Sequence, residues 1–197
     1  MEAPLEDPPA VGPRAAPERL IVAMTGVEGS RYGIGLLEAL RHTSVESHLV
    51  MCACARQAIR AETGMDPDLI RKLASRSYHP HNQAAKISSG SFLTKGMVIA
   101  PCSVRSLSAI VNGYATTLVA RAADVTLKER RPLVLLVNES PLSPIQVENL
   151  RRAATVPGMV VSWPGQQADD EVIDGLLAQF AIPRGGSDVE IGQRPAP

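Results

Sequence analysis

The feature that most constrains the fold is a regular alternation of short apolar runs and longer amphipathic segments between residues 18 and 182. Continuous apolar runs, such as residues 19–25 and 132–137, are typical of strands that are covered on both faces of a parallel sheet. Segments such as residues 30–42 instead place their apolar side chains at helical spacing. Strands that alternate with helices predict βαβ units, and therefore an α/β fold with a three-layer, doubly wound parallel sheet.

The boundaries of these elements follow from the same pattern and from helix-start signals. Asp66-Pro67 and Ser143-Pro144 are typical of a helix N-cap followed by a first-turn proline, and Ser103 can cap a third helix. The segment 78–94 is polar and predicts a long loop. Strands are expected at 19–25, 45–51, 97–100, 132–137 and 159–162, and helices at 30–42, from 52 to near 64, and at 66–75, 103–112, 116–130, 144–155 and 168–180.

The two ends of the chain differ from its centre in composition. Five of the 16 prolines lie within residues 1–17 and three lie within residues 183–197, among Ala, Gly and polar residues. Such segments cannot bury enough apolar surface to become ordered. We therefore expect one domain, residues 18–182, between two flexible tails, 1–17 and 183–197.

Charge and composition restrict the kinds of partner. The 20 Lys and Arg residues balance the 20 Asp and Glu residues, so no global charge attracts a nucleic acid or an anionic membrane. No apolar run approaches the roughly 18 residues that span a bilayer, and the first residues lack a secretory pattern, which predicts a cytoplasmic protein. The three cysteines, Cys52, Cys54 and Cys102, lack paired spacing and indicate free thiols rather than a disulfide framework or zinc site.

The geometry of the predicted sheet indicates where a ligand-binding site lies. In a doubly wound sheet ligands bind beyond the carboxyl ends of the strands, so four segments are expected to meet in one crevice. Those segments are 25–30, 52–54, 101–106 and 138–143. Glycine- or serine-rich turns that enter helices favour an anion such as phosphate. The turn Gly26-x-x-Gly29-x-x-x-Gly33 departs from the dinucleotide fingerprint, which disfavours NAD, and Glu28 either points away from the anion or weakens its binding.

Four further features each have a functional and a simpler interpretation. His79 and His81 could bind a metal, but no companion ligand lies at suitable spacing, so a solvated loop and no metal site is expected. The cluster 128–131 could bind phosphate, because the following strand could bring Lys128 to the crevice, or could stabilise a helix end. Glu139 is either a general acid or base or a surface acid. The turn 89–91 is either an anion-binding turn or a flexible loop.

Three motifs together resemble those of the UbiX-type flavin prenyltransferases. They occur in the family's order and extend, with their surroundings, over about residues 19–151. The proline-alanine-serine-alanine-asparagine motif of the related flavin-dependent cysteine decarboxylases is absent. The motifs are Ser88-Ser89-Gly90-Ser91-Phe92, Gly96-Met97-Val98-Ile99-Ala100-Pro101-Cys102-Ser103 and Arg121-Ala122-Ala123-Asp124-Val125-Thr126-Leu127-Lys128-Glu129-Arg130-Arg131-Pro132-Leu133-Val134.

This resemblance implies a fold, a reaction and partners. The fold is flavodoxin-like or Rossmann-like, and FMN lies between the subunits of a trimer that commonly assembles into a dodecamer. The enzyme transfers a dimethylallyl group from dimethylallyl phosphate or diphosphate to N5 and C6 of reduced FMN. The prenylated FMN then serves a UbiD-type decarboxylase.

The resemblance also implies a role for individual residues. Ser89, Lys128 and Glu139 would be catalytic, with Glu139 passing a proton to the departing phosphate, and Gly90 and Lys128 would bind the substrate phosphate. The FMN-binding residues would be Gly26, Val27, Glu28, Cys52, Ser103, Val104, Arg105, Ser106, Arg121 and Asn138.

The sequence departs from the family pattern at positions that bear on phosphate binding. Asn138 stands in place of an arginine, and the segment 162–167 is a shortened loop that lacks a phosphate-binding tyrosine. Three hypotheses follow: a divergent flavin prenyltransferase, a catalytically silent FMN-binding protein, and a flavin-dependent decarboxylase or oxidoreductase. The retained Lys128 and Glu139 favour the first hypothesis.

Overall fold

The computed structural model describes residues 17–185 and contains one six-stranded sheet. All strand pairs are parallel and the strand order is β3-β2-β1-β4-β5-β6, the doubly wound arrangement that the alternating pattern predicts. The strands are β1 (Arg19–Met24), β2 (Glu46–Met51), β3 (Arg76–Tyr78), β4 (Gly96–Cys102), β5 (Leu133–Val137) and β6 (Met159–Ser162).

Helices cover both faces of the sheet and complete the three layers. Alternate residues of β1 show this directly: Leu20, Val22 and Met24 pack on one face, while Ile21 and Ala23 pack on the other. The helices are α1 (Ser30–Arg41), α2 (Ala53–Thr63), α3 (Pro67–Leu73), α4 (Val104–Val111), α5 (Leu118–Lys128), α6 (Pro144–Thr155) and α7 (Asp169–Ala178). Residues of α1, α2, α3 and α7 belong to the first apolar cluster, and residues of α4, α5 and α6 belong to the second.

The predicted helix starts are confirmed by their capping contacts. The Ser103 side chain accepts a hydrogen bond from the N–H of Ser106, and the Asp66 side chain accepts one from Asp68. Ser143 and Gln146 form a reciprocal capping box in front of Pro144. These contacts fix where α3, α4 and α6 begin.

The segment 78–94 is less regular than a strand or helix but is not a featureless loop. Tyr78 ends β3, a strand that the sequence pattern does not predict, and a short 3-10 helix spans Lys86–Ser88. The predicted tails, 1–17 and 183–197, lie outside the described residues except for residues 17 and 183–185.

Candidate functional site

The carboxyl ends of β1 and β4 lie side by side where the strand order reverses. The N–H groups of Thr25 and Gly26 both donate to the carbonyl of Pro101 at 2.9 Å. The N–H of Ser103 donates to the Thr25 hydroxyl at 3.1 Å. A Cβ on Gly26 would stand 2.8 Å from the Cβ of Pro101, so the close approach of the two turns requires glycine there. These contacts fix the positions of the two turns at the crevice that the sheet geometry predicts.

A cavity of about 730 Å³ occupies this crevice. That volume is within the range of small-molecule and cofactor sites. Its wall combines hydroxyl, thiol, imidazole, amide and guanidinium groups with apolar side chains. The lining residues are Thr25, Cys52, Ala53, Cys54, Pro80, His81, Ser103, Arg105, Ser106, Ser108, Ala109, Asn112, Tyr114, Thr116, Thr117, Val119 and Ala120.

The predicted FMN-binding residues Cys52, Ser103, Arg105 and Ser106 are therefore brought together in one cavity. Cys52 is the N-cap of α2: its sulfur accepts a hydrogen bond from the N–H of Ala55 and its thiol lies 3.6 Å from the carbonyl of Thr25. Burial raises the pKa of the Cys52 thiol, so the group is a neutral hydrogen-bonding partner at physiological pH.

The backbone N–H groups at the N-terminus of α1 donate to a carboxylate that the sequence pattern does not predict. The carboxylate of Glu62, on α2, accepts hydrogen bonds from the N–H groups of Gly29 at 2.9 Å and Ser30 at 2.8 Å. Anion binding at these groups is expected from the sequence, but this protein supplies its own anion there. The predicted Val27 and Glu28 are both exposed, and neither lines the cavity.

The carboxyl end of β5 contributes Asn138 and Glu139. The amide of Asn138 lies against Gly29, where an added Cβ would stand 2.8 Å from its Nδ2. Glu139 is half-buried, and its Oε1 accepts a hydrogen bond from the N–H of Val104 at 3.3 Å. Both residues border the crevice beside the cavity, without lining it.

The Ser89-Gly90-Ser91 turn lies at the opposite end of the sheet. Arg131, which stands just before β5, donates to the carbonyls of Gly90 at 2.8 Å and Phe92 at 2.9 Å. Because Arg131 precedes the amino end of β5 and Glu139 follows its carboxyl end, the strand separates the turn from the crevice by about 20 Å.

Lys128 and Arg121 also lie outside the cavity. Lys128 is the last residue of α5 and is exposed at the amino end of β5, so the following strand does not bring it to the crevice of its own subunit. Arg121 is exposed in the first half of α5 and pairs with Asp124 at 3.1 Å. The predicted site residues thus form two groups at opposite ends of the sheet.

His79 and His81 stand near each other, with ring centroids 5.4 Å apart. Within residues 17–185 no group of three or more His, Cys, Asp or Glu side chains could hold a metal ion. His81 instead lines the large cavity.

Sequence reasoning missed several residues that shape the site. Thr116 and Thr117 line the cavity, and Tyr114 is an exposed aromatic at its rim. Thr25 also lines the cavity, in agreement with its place at the start of the predicted crevice segment 25–30. Glu62 and Arg131 act through contacts with distant residues that carry no local sequence signal.

No helix in the part of the chain from residue 17 to residue 185 is both long and apolar enough to cross a lipid bilayer.

Comparison with known proteins gives a consistent family signal. The family model described as Flavoprotein matches residues 13–174. A probable UbiX-like flavin prenyltransferase of Streptomyces sp. (strain D7) is 45% identical over 188 residues, which cover 90% of this chain and 94% of that protein.

Solved structures agree with the sequence comparison. The crystal structure of AnUbiX in complex with FMN and dimethylallyl pyrophosphate matches with a TM-score of 0.81 and 39% identity, over 86% of this chain and 95% of that one. A dodecameric FMN-dependent UbiX-like decarboxylase from Escherichia coli O157:H7 matches with a TM-score of 0.79 and 42% identity, over 84% and 96% of the two chains.

Proposed function

Because this chain belongs to the flavoprotein family, and within it to the UbiX-like flavin prenyltransferases, we propose that it joins a dimethylallyl group to reduced FMN. The isoprenyl donor is dimethylallyl phosphate or diphosphate: the bond between the allylic carbon and the phosphate oxygen breaks, and the phosphate leaves. The prenylated FMN is the product that a UbiD-type decarboxylase uses. The observation that carries the proposal is the 730 Å³ cavity at the strand reversal, with a half-buried carboxylate, Glu139, beside it.

The cavity fits FMN in its donor set as well as its size. Ser103, Ser106 and Arg105 supply hydroxyl and guanidinium donors for the ribityl chain and its phosphate, and Cys52 adds a capping thiol. Apolar side chains such as Val119 form a wall for a flat ring system. Gly26, Val27, Glu28, Val104, Arg121 and Asn138 remain the other proposed FMN-binding positions.

The two groups of site residues require more than one copy of the chain. Ser89, Gly90 and Lys128 lie about 20 Å from Glu139 along the sheet of one subunit. A neighbouring copy can present its own turn and lysine at the crevice, which completes the site across an interface. We therefore propose a homo-oligomer, a trimer or a dodecamer built from trimers, with FMN at the subunit boundary. The dodecameric state of one structural relative supports this assembly.

Each group then has a chemical task. The Lys128 ammonium and the N–H groups of Gly90 and Ser91 stabilise the negative charge that develops on the departing phosphate. Glu139 would accept the proton that reduced FMN loses when its N5 bonds to the allylic carbon, and would pass that proton to the departing phosphate. The FMN supplies the nucleophilic ring edge, and the chain's own residues hold the donor in place and exclude water.

We place this reaction in a single domain, residues 18–182, and in the cytoplasm. All three cysteines of the described chain, Cys52, Cys54 and Cys102, are free thiols, which is typical of a reducing compartment. The retained Lys128 and Glu139, together with 45% identity to a flavin prenyltransferase, favour the transferase over a silent flavin carrier.

The test is mass spectrometry of the flavin released after anaerobic incubation of the protein with reduced FMN and dimethylallyl phosphate. We expect prenylated FMN, and none in a matched incubation without the donor. Unmodified FMN recovered at about one per subunit from the complete mixture would contradict the proposal and favour a silent flavin-binding protein. Dimethylallyl diphosphate in a parallel reaction identifies the preferred donor.

A further inference from the structure

Arg131 holds the Ser89-Gly90-Ser91 turn from behind. Its Nη2 donates to the carbonyl of Gly90 at 2.8 Å, and its Nη1 donates to the carbonyl of Phe92 at 2.9 Å and approaches the Thr94 hydroxyl at 3.5 Å. One guanidinium therefore fixes the backbone on either side of Ser91. A planar group with several donors in a rigid arrangement is suited to such a task, whereas an ammonium group is not.

This contact determines which way the peptide groups of the turn face. Because the Gly90 carbonyl points to Arg131, the N–H groups on the other side of the turn remain available. Within residues 17–185 the N–H groups of Gly90 and Ser91 have no hydrogen-bond acceptor, whereas those of Ser89 and Phe92 donate to Lys86 and Ser89. Two successive N–H groups without an acceptor are donors that an anion can bind. The hydroxyls of Ser89 and Ser91, 2.9 Å apart, stand on either side of them.

Two further contacts keep the turn in place. The carboxylate of Glu129 lies against Gly90, where an added Cβ would require this exposed side chain to move. The ring of Phe92 lies edge-on to His48, with centroids 5.0 Å apart, and under the guanidinium of Arg19 at 4.9 Å. The turn is thus anchored to the sheet through Phe92 and to the start of β5 through Arg131.

We propose that Arg131 is the positioning residue for the phosphate of the isoprenyl donor: by binding the carbonyls of Gly90 and Phe92, it sets the Gly90 and Ser91 N–H groups to receive that phosphate. Arg131 does not itself touch the donor. This inference rests on the proposed function, which assigns the turn to the donor phosphate. It predicts that Arg131 affects recognition of the donor and leaves FMN binding, which occurs at the other end of the subunit, unchanged.

The test compares Arg131→Lys with Arg130→Lys. Arg130 is a neighbouring exposed arginine whose side chain makes no hydrogen bond or ion pair within residues 17–185. Both substitutions keep the positive charge. They differ because only Arg131→Lys removes a guanidinium that binds two carbonyls of the turn. For Arg131→Lys we expect the KM for dimethylallyl phosphate to rise about tenfold or more, with kcat changed less and the FMN dissociation constant unchanged. Arg130→Lys should match the unsubstituted protein in all three.

Hydrogen exchange measured by mass spectrometry gives a readout that is independent of activity. Residues 88–94 should exchange faster in Arg131→Lys than in Arg130→Lys, and millimolar inorganic phosphate should slow their exchange in the unsubstituted protein but not in Arg131→Lys. Unchanged exchange in this segment, or an equal loss of FMN affinity and donor affinity, would overturn the positioning role. If the unsubstituted protein makes no prenylated FMN, the proposed function fails, while the exchange and phosphate measurements still decide the role of Arg131.

Discussion

The carboxylate of Glu139 accepts a hydrogen bond, 3.3 Å long, from the backbone N–H of Val104. Glu139 follows β5 and Val104 is the first residue of α4, so the contact joins the segments that follow two neighbouring strands, β4 and β5, beside the crevice. One oxygen of Glu139 is thereby anchored to the start of a helix. In the function that we propose, the second oxygen is the one that transfers the proton, and the contact with Val104 limits the motion of the carboxylate.

We expect Glu139→Gln to reduce the rate of prenyl transfer by about 10²- to 10⁴-fold, the usual contribution of a positioned general acid. The glutamine carbonyl can still accept the hydrogen bond from Val104, so folding and FMN binding should persist. The measurement is the initial rate of prenylated FMN formation, with FMN affinity determined by fluorescence titration. Glu148→Gln, on the exposed face of α6, is the matched control and should leave the rate unchanged.

Lys128→Ala removes a cation that we assign to the substrate phosphate of a neighbouring subunit. Loss of one charge-assisted contact predicts a drop in kcat/KM for dimethylallyl phosphate of about 10- to 100-fold, with FMN still bound. Lys72→Ala is the matched control, because Lys72 is also an exposed lysine in the last turn of a helix. Loss of FMN binding together with transfer in Lys128→Ala would mean that Lys128 is structural.

The two variants together test whether the site is shared between subunits. Glu139→Gln and Lys128→Ala should each keep only the residual activity given above, yet oligomers that contain both chains should regain activity at interfaces where an intact Glu139 meets an intact Lys128. With equal random mixing about one quarter of such interfaces are intact. Co-expression with two different affinity tags and purification through both gives the mixed oligomers. Activity no higher than that of the single variants would contradict a site that takes Glu139 from one subunit and Lys128 from its neighbour.

The layers of the fold follow from the sequence because apolar periodicity is strong in five of the six strands. The exception is β3, whose residues Arg76–Tyr78 contain no apolar run. This edge strand is held by tertiary contacts: the N–H of Ser47 donates to the Ser75 hydroxyl at 3.0 Å, and the N–H of Ser75 donates to the Ser47 hydroxyl at 3.1 Å. A reciprocal contact between residues 28 positions apart produces no local sequence pattern, so the sequence predicts a loop for this segment.

The site is only partly predictable for the same reason. Cys52 and Ser103 can be placed at the crevice, because each directly follows a strand that the apolar runs reveal. The binding of Glu62 at the N-terminus of α1 cannot be predicted from the sequence, because this carboxylate comes from the far end of the next helix. Nor does the sequence show that Lys128 lies at the opposite end of the sheet from Glu139 until the direction of α5 and β5 is known.

Two glycines in helices allow the effect of close packing on stability to be distinguished from the effect of helix propensity. A Cβ on Gly33, in α1, would collide with the carbonyl of Ala100 and stand 2.7 Å from the Cε of Met24, whereas Gly175, in α7, has no atom within 4 Å of that position. We expect Gly33→Ala to lower the free energy of unfolding by about 1–3 kcal/mol through overpacking. Gly175→Ala should raise it by about 0.5–1 kcal/mol, because alanine loses less backbone entropy. Denaturant unfolding measures both, and a stabilised Gly33→Ala would contradict the close packing of α1 on β4.

The three cysteines should react in a fixed order that also reports flavin binding. Burial, together with the nearby Glu139 carboxylate, raises the pKa of Cys102 to about 12, so at pH 8 only about one thiol in ten thousand is ionised. Cys54 is exposed and should be alkylated by iodoacetamide first, Cys52 more slowly, and Cys102 only after unfolding.

Because Cys52 and Cys54 line the cavity, saturating FMN should slow the alkylation of both. Peptide mass spectrometry follows each site, with Cys54→Ser confirming the assignment of the fastest phase. Equal alkylation with and without FMN would show that the flavin binds elsewhere, which makes thiol protection an independent test of where the cofactor lies.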